Sequence, residues 1–145
     1  MTIATFNIDW AGKSRHSAHS KKIEKFLKDH TFDFLVITEG INLELPNYPF
    51  KYFSEQIPEN VEYEGLNYSQ YLNGEKAFRT IIYSQFPANC ICEVSDPKTS
   101  LAIEFSTSFG EIVMYATIIG TWFNKKPFAQ KELQNCISDC LDISK

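Results

Sequence analysis

The sequence predicts a fold of the α/β or α+β class, in which helices cover a mixed β-sheet. Three patterns predict it: a strand–helix–strand unit in the first forty residues, several short strands after residue 77, and a helix near the end of the chain. With 145 residues and 43% hydrophobic content, the chain is long enough for one domain and too short for two ordinary ones. We therefore expect residues 1–145 to form a single domain or part of one.

The strand–helix–strand unit has a clear pattern in each of its parts. Residues 2–7 alternate and are rich in β-branched and aromatic side chains, which is typical of a strand. From Ser17 to Asp29, apolar residues recur at helical spacing, with lysines on the opposite side. Asp33–Thr38 is a nearly continuous apolar run, as in a strand covered on both faces. Such a unit has parallel strands and a right-handed crossover, so Asn7 and Glu39 are predicted to emerge at the same sheet edge.

The remainder of the chain predicts a long connection, a meander and a helix. Between Gly40 and Lys76 only Phe50–Ser54 has an extended pattern, and connections of that length are usually functional loops. An antiparallel meander is predicted from strand patterns at residues 78–84, 90–94, 100–106 and 111–118. A last helix is predicted over Phe128–Asp142, with a buried face formed by Leu133, Cys136, Ile137, Cys140 and Leu141.

The charge balance excludes a protein that holds nucleic acid by broad electrostatic attraction. The formal net charge is -4 and the isoelectric point is about 5.4, whereas such domains carry a basic face. A nucleic-acid substrate would have to be met locally, through a bound cation. The first ten residues lack the pattern of a signal peptide, and no stretch has the apolar length of a membrane span. We therefore expect a cytoplasmic protein without a membrane partner.

The four cysteines fall in two pairs, Cys90-x-Cys92 and Cys136-x₃-Cys140. Neither spacing matches a zinc ribbon or a small disulfide-rich scaffold. Reduced and mostly buried thiols are the favoured interpretation, because free cysteine behaves as a small hydrophobic residue. A metal or redox site built from the two pairs remains the alternative.

The candidate site consists of the polar residues that follow the first two strands. In open α/β sheets, ligands gather beyond the carboxyl ends of strands. Mg²⁺ commonly takes one or two carboxylates together with waters and substrate phosphate, so Glu39 is a candidate metal ligand. Asn7 could hydrogen-bond a phosphate oxygen or a metal-bound water. Position alone is equally compatible with Asn7 as a strand-ending turn residue and Glu39 as a solvated carboxylate.

Several segments resemble motifs of the endonuclease/exonuclease/phosphatase superfamily. The segment ATFNIDW resembles its opening strand, and DFLVITEG is similar to its D-x-(apolar)₃-Q/T-E strand. FRTIIYSQFP is similar to a later strand of the form R-x-(apolar)₂-x-S-(R/K)-x-P, and residues 110–119 resemble the strand after it. The resemblance covers nearly the whole chain, in the same order.

This resemblance implies a four-layer α/β sandwich and a phosphoesterase, either a nuclease or a phosphatase, that works through a water activated by Mg²⁺ or Mn²⁺. It assigns Glu39 and Asn7 as catalytic and metal-binding residues. Arg79 is a further candidate, for binding the substrate phosphate. The alternative for Arg79 is a strand-edge arginine in an ordinary salt bridge. The implied partner is a phosphoester substrate, with nucleic acid among the candidates.

One departure from the family bears on activity. The sequence contains neither the G-D-x-N motif nor the late D-H pair that the family uses to position the water and the transition state. We therefore expect the N-terminal portion of an incomplete domain, with weak activity or none by itself. The alternative to an enzyme is an inert remnant or interaction module, which would self-associate or pair with a missing C-terminal half.

Overall fold

The computed structural model describes residues 1–8, 18–57, 62–63, 66–67, 76–119 and 128–144. The elements of these segments are, in chain order, β1 (Ile3–Asn7), α1 (Ala18–Asp29), β2 (Phe34–Ile41), β3 (Phe50–Phe53), β4 (Glu62–Tyr63), β5 (Leu66–Asn67), β6 (Ala77–Ser84), β7 (Ala88–Cys92), β8 (Leu101–Thr107), β9 (Gly110–Ala116) and α2 (Phe128–Ile143).

The first sheet is mixed and has the strand order β1-β2-β6-β3. Strands β1 and β2 are parallel, in a register that runs from Ile3 opposite Phe34 to Asn7 opposite Thr38. Strand β6 is antiparallel to both β2 and β3. The predicted parallel strand–helix–strand unit is thus confirmed, and Asn7 lies beside the residue that precedes Glu39.

The second sheet is the antiparallel meander β7-β8-β9. The predicted meander was wrong in one respect, because its first strand, β6, belongs to the first sheet. The physical reason is that Ile81, Ile82 and Tyr83 are all fully buried, so β6 needs cover on both faces and takes an interior position. Strands β4 and β5 form a small hairpin inside the segment predicted as a long connection.

Apolar cores cover both faces of the first sheet. On one face, Leu27 of α1 packs with Leu35 and Ile37 of β2. On the other face, Phe34 packs with residues of the second sheet, and its ring lies 4.9 Å from that of Phe105. This double burial explains the continuous apolar run in β2, since a strand covered on both sides has no solvent face for polar residues.

Helix α2 lies against the outer face of the second sheet. Met114 and Ala116 of β9 face the core between the sheets, so the intervening Tyr115 points away from that core, and its hydroxyl donates to Asp139 of α2. Helix α1 covers one face of the first sheet, and α2 contacts the second sheet through this bond. This arrangement confirms the predicted α+β class.

The predicted buried face of α2 was wrong. Ile137 and Leu141 are 53% and 61% exposed, whereas Glu132 and Asp139 are buried. Each buried carboxylate contacts a specific polar partner, and these contacts orient the helix in place of an apolar stripe. The expectation of mostly buried thiols was also wrong for Cys90 and Cys140, which are exposed; all four cysteines are free.

Neither α1 nor α2, the helices of the described segments, has the length and apolar content needed to cross a lipid bilayer.

Candidate metal and phosphate site

Three neighbouring strands bring the predicted site residues to one rim of the first sheet. Asn7 of β1 pairs with Thr38 of β2, which pairs with Thr80 of β6. Glu39 follows Thr38 and Arg79 precedes Thr80, so both lie next to this row. Because adjacent strands are about 4.8 Å apart, the backbones of Asn7 and Arg79 are separated by roughly 10 Å. The structure thus places all three candidates at the same rim.

Glu39 lies inside β2 and not at its end, because β2 continues to Ile41. The expected position at the strand terminus was therefore wrong. Its backbone has φ 51°, in the left-handed region, which costs a residue with a Cβ roughly 1–2 kcal/mol. The side chain is half-buried. Backbone strain of this kind persists only where the surroundings hold it, and it is concentrated at functional sites.

The residue after Glu39 has to be small. A Cβ on Gly40 would lie 2.8 Å from Cδ1 of Ile81 and 3.0 Å from Cγ2 of Ile37. Both isoleucines belong to the core beneath α1, so Gly40 allows the backbone of β2 to approach that core. The Glu39-Gly40 pair therefore combines a strained backbone with a close contact just below the rim.

Asn7 is exposed at the end of β1. The ladder continues one residue further, since the backbone N–H of Ile8 donates to the Thr38 carbonyl at 3.1 Å. This bond fixes the backbone on the C-terminal side of Asn7 relative to β2. The next two residues of the sequence, Asp9 and Trp10, lie outside the described residues, as does Trp122.

Arg79 is buried and takes part in an ion pair, as the alternative for this residue predicted, although the sequence did not identify its partner. Its Nη1 lies 2.7 Å from Oε1 of Glu132 in α2 and donates to Oγ1 of Thr99 at 3.4 Å. The two side chains are only 6% and 2% exposed. Strand β6 is interior in its sheet, so this is not the strand-edge salt bridge considered as the alternative. Its assignment as a phosphate contact stays a prediction.

Further hydrogen bonds lie near this ion pair and between α2 and the second sheet. The hydroxyl of Thr80 donates to the Thr99 carbonyl at 2.7 Å, and the Thr99 hydroxyl donates to Asp96 at 2.8 Å. Two turns beyond Glu132, Asp139 accepts bonds from the Tyr115 hydroxyl and from the backbone N–H of Ser95, each at 2.8 Å. The site rim and α2 are therefore joined by hydrogen bonds and an ion pair.

A signal for this network was present in the sequence. Arg79 is the single charged residue of β6, and a buried charge requires a partner. Glu132 and Asp139 are seven residues apart, which places them on the same side of a helix. The tyrosine in the network is also perturbed, because burial, followed by the nearby Asp139 carboxylate, raises the pKa of Tyr115.

Glu39 and Asn7 carry oxygen donors of the kind that a hard cation prefers. Within the described segments, no group of three or more histidine, cysteine, aspartate or glutamate side chains could hold a metal ion. The assignment of Glu39 and Asn7 as metal ligands stays a prediction, in which waters and substrate phosphate complete the shell, as Mg²⁺ commonly allows.

The cysteines do not support the alternative metal or redox site. None of them contributes to a cation-binding group in the part of the chain that the structure describes. Burial raises the pKa of the Cys92 and Cys136 thiols. A raised pKa lowers the fraction of thiolate, which is the form that binds metals and reacts with oxidants.

The described residues form a two-sheet α+β architecture in which β1, β2 and β6 meet at a polar rim. A similar structure is that of an endonuclease/exonuclease/phosphatase protein from Beutenbergia cavernae, with a TM-score of 0.54 and 14% sequence identity. The match covers 90% of this chain and 41% of that one, so the chain spans less than half the length of that structure. At this identity the likeness shows a distant relationship of fold. No protein-family model and no curated protein matches the sequence.

Proposed function

We propose that this chain carries the cation-binding part of a phosphoesterase, a nuclease or phosphatase that depends on Mg²⁺ or Mn²⁺. The observation that carries this proposal is the placement of Glu39 and Asn7 on adjacent parallel strands at one rim. The fold likeness to an endonuclease/exonuclease/phosphatase protein supports it. The strained backbone of Glu39 supports it as well, since such strain is found at functional sites.

Each rim residue has a distinct part in the proposed chemistry. A bound divalent cation supplies charge neutralisation of the phosphate and lowers the pKa of a coordinated water. Glu39 binds the cation through its carboxylate, and the amide of Asn7 orients a phosphate oxygen or a coordinated water. Arg79 adds a phosphate contact. Because its side chain is only 6% exposed, we expect that contact to contribute less than the cation.

The chain by itself should turn over slowly. Its sequence contains no G-D-x-N motif and no D-H pair late in the chain, so it lacks the residues with which the family positions the water and supplies the general base. Loss of a general base alone typically lowers the rate by about 10²–10⁴-fold. The proposal therefore concerns cation binding first and catalysis second.

Isothermal titration with Mn²⁺ and Mg²⁺ tests the proposal directly. Glu39→Gln should weaken binding at least about tenfold, since even loss of a residue that only supports a metal ligand costs 10–100-fold. Glu104→Gln is the matched control: Glu104 is also a half-buried strand glutamate, and it lies on the second sheet. The proposal fails if Glu39→Gln binds both cations as tightly as the wild-type chain.

A second candidate function is an inert interaction module that self-associates. The exposed apolar side chains of α2, Ile137 at 53% and Leu141 at 61%, favour it, because exposed apolar surface often marks a protein interface. Sedimentation velocity should then show concentration-dependent dimers that the Ile137→Ser/Leu141→Ser variant abolishes. A monomer at all concentrations would reject this candidate.

A further inference from the structure

We infer that a cavity between β3 and β7 binds a small organic ammonium ion, a molecule with an apolar body and one positively charged amine. The cavity has a volume of about 430 Å³ and is lined by residues at the end of β3, in β7 and in the chain that joins β7 to β8. Strand β3 is at the opposite edge of the first sheet from β1, which carries Asn7. The inference therefore does not rest on the proposed function.

The wall of the cavity is mainly apolar. Ile91, Val94, Pro97 and Leu101 are among the residues that line it. Ile91 pairs with Ile103 of β8, which belongs to the core between the sheets. Because paired residues of neighbouring strands share a face, Ile91 faces this inner side as well, yet it is 65% exposed. Its side chain therefore leaves apolar surface that a bound molecule can cover.

Hydrogen bonds between the strands fix the width of this space. The backbone N–H of Ala88 donates to the Tyr52 hydroxyl at 2.6 Å, and the backbone N–H of Glu55 donates to the Pro97 carbonyl at 2.7 Å. The two bonds join β3 to the chain on either side of Ile91. A compact molecule fits between them, whereas an extended peptide along β7 would meet a bond at each end. The volume also lies in the range of small-molecule sites, roughly 300–1,000 Å³.

The charge of the cavity favours a cation. Its two charged lining residues are the carboxylates of Glu55 and Glu93, and no basic residue is among the described residues that line it. The Glu55 carboxylate lies 3.3 Å from Nζ of Lys98, so an ion pair compensates its charge. Glu93 is exposed and forms no ion pair with the part of the chain that the structure describes. An ammonium group would form a charge-assisted hydrogen bond with this carboxylate while its apolar body contacts Ile91.

Phenethylammonium is a suitable probe, because it joins one aromatic ring to one amine. Phenethyl alcohol has nearly the same shape without the charge, and hydrocinnamate carries the opposite charge. We expect phenethylammonium to bind with a dissociation constant on the order of 1 mM, as is common for molecules of this size. The alcohol should bind about threefold more weakly, since an exposed ion pair contributes about that much. Hydrocinnamate should bind more weakly than either.

Replacing Glu93 tests the contribution of its charge. Glu93→Gln should weaken binding of phenethylammonium about threefold and leave the affinity for phenethyl alcohol unchanged. Glu111→Gln is the matched control, because Glu111 is an exposed glutamate of β9 and its loss changes the net charge of the chain equally. That variant should bind phenethylammonium like the wild-type chain.

Replacing Ile91 tests the apolar contact. If the bound molecule covers about 40 Å² of this side chain, Ile91→Ala should weaken binding about fivefold, at about 25 cal/mol per Å². Val113→Ala is the matched control, because Val113 is 44% exposed and lies on β9, at the other edge of the same sheet. Both side chains are exposed, so both variants should stay folded.

The experiment is titration of the full chain with the three probes, followed by amide NMR spectra. Binding at the cavity should shift the amide signals of Ile91, Val94 and Leu101. The inference is overturned if phenethylammonium shifts none of these signals, or if it binds no more tightly than the alcohol. It is also overturned if Glu93→Gln or Ile91→Ala binds like wild type, or if the control variants are equally weak. If Ile91→Ala fails to fold, the signals that shift in the wild-type chain decide the location, and shifts elsewhere overturn the inference.

Discussion

The left-handed backbone of Glu39 predicts that glycine is more stable than alanine at this position, which reverses the usual order in a strand. In an ordinary strand, glycine is less stable than alanine by about 0.5–1 kcal/mol, because it loses more conformational freedom on folding. At φ 51°, alanine carries a cost of roughly 1–2 kcal/mol that glycine does not. The difference between Glu39→Gly and Glu39→Ala therefore isolates the backbone strain, since both variants lose the same side-chain contacts.

The magnitude follows from these two opposing terms. Glycine avoids about 1–2 kcal/mol of strain and costs about 0.4–1 kcal/mol through the greater freedom of the unfolded chain. We expect Glu39→Gly to be more stable than Glu39→Ala by about 0.5–1 kcal/mol. Both variants should lose cation affinity equally. That combination would show that the strain is maintained for the position of the carboxylate and not for the fold.

Urea unfolding followed by circular dichroism measures the difference. The control is the same pair of substitutions at Thr5, an exposed residue of β1 that is not among the described residues with positive φ. There, alanine should be the more stable variant by about 0.5–1 kcal/mol. If alanine is also the more stable variant at position 39, the inference of stored strain is wrong.

Three further predictions concern the elements around the rim. Gly40→Ala should lower the free energy of unfolding by about 1–3 kcal/mol in urea titrations, because the new methyl group would overlap Ile81. Asp139→Ala should lower the free energy of unfolding by at least about 2 kcal/mol in the same assay, because the buried groups that donate to Asp139 lose their acceptor. The exposed Asp142 is the control, and Asp142→Ala should change the free energy of unfolding by no more than about 0.5 kcal/mol. Because the pKa of Tyr115 is raised in the folded chain, this tyrosine loses its proton at a lower pH in the unfolded chain, where its pKa is about 10. The free energy of unfolding should therefore fall above pH about 10, by up to about 1.4 kcal/mol per pH unit. Urea titrations of Tyr115→Phe at pH 8 and 11 should show a smaller fall than wild type, and an equal fall would contradict this attribution.

Local pattern predicted the elements well where the surroundings of a segment are uniform. The helix α1 and the strands β1, β8 and β9 lie within about two residues of their expected positions at each end. Alternation and helical spacing report which side of an element faces a core, and these elements each have one such side. The same information could not show that β6 joins the first sheet, because sheet membership depends on which distant strand supplies the second covered face.

The end of β2 shows a different limit. Asp33–Thr38 predicted the apolar body of the strand, and the polar Thr38-Glu39-Gly40 sequence was taken as its end. Pairing with β6 carries the strand through Glu39 to Ile41. Hydrogen bonds of the sheet and core contacts on both sides of Glu39 therefore offset the free-energy cost of its left-handed backbone. No local propensity predicts this, because glutamate in isolation has no preference for that conformation.

The buried face of α2 connects the fold to the candidate site. An apolar stripe predicted the wrong side of the helix, because Glu132 and Asp139 are buried in contact with Arg79 and Tyr115. A buried ion pair contributes little net stability over an apolar contact, so stability alone does not explain why Glu132 and Arg79 occupy these positions. Removal of Glu132 alone should lower the free energy of unfolding by about 3–5 kcal/mol, because Arg79 stays buried after losing this partner, whereas apolar replacement of both partners should be nearly neutral. Urea unfolding of the single and the double variant would measure this difference.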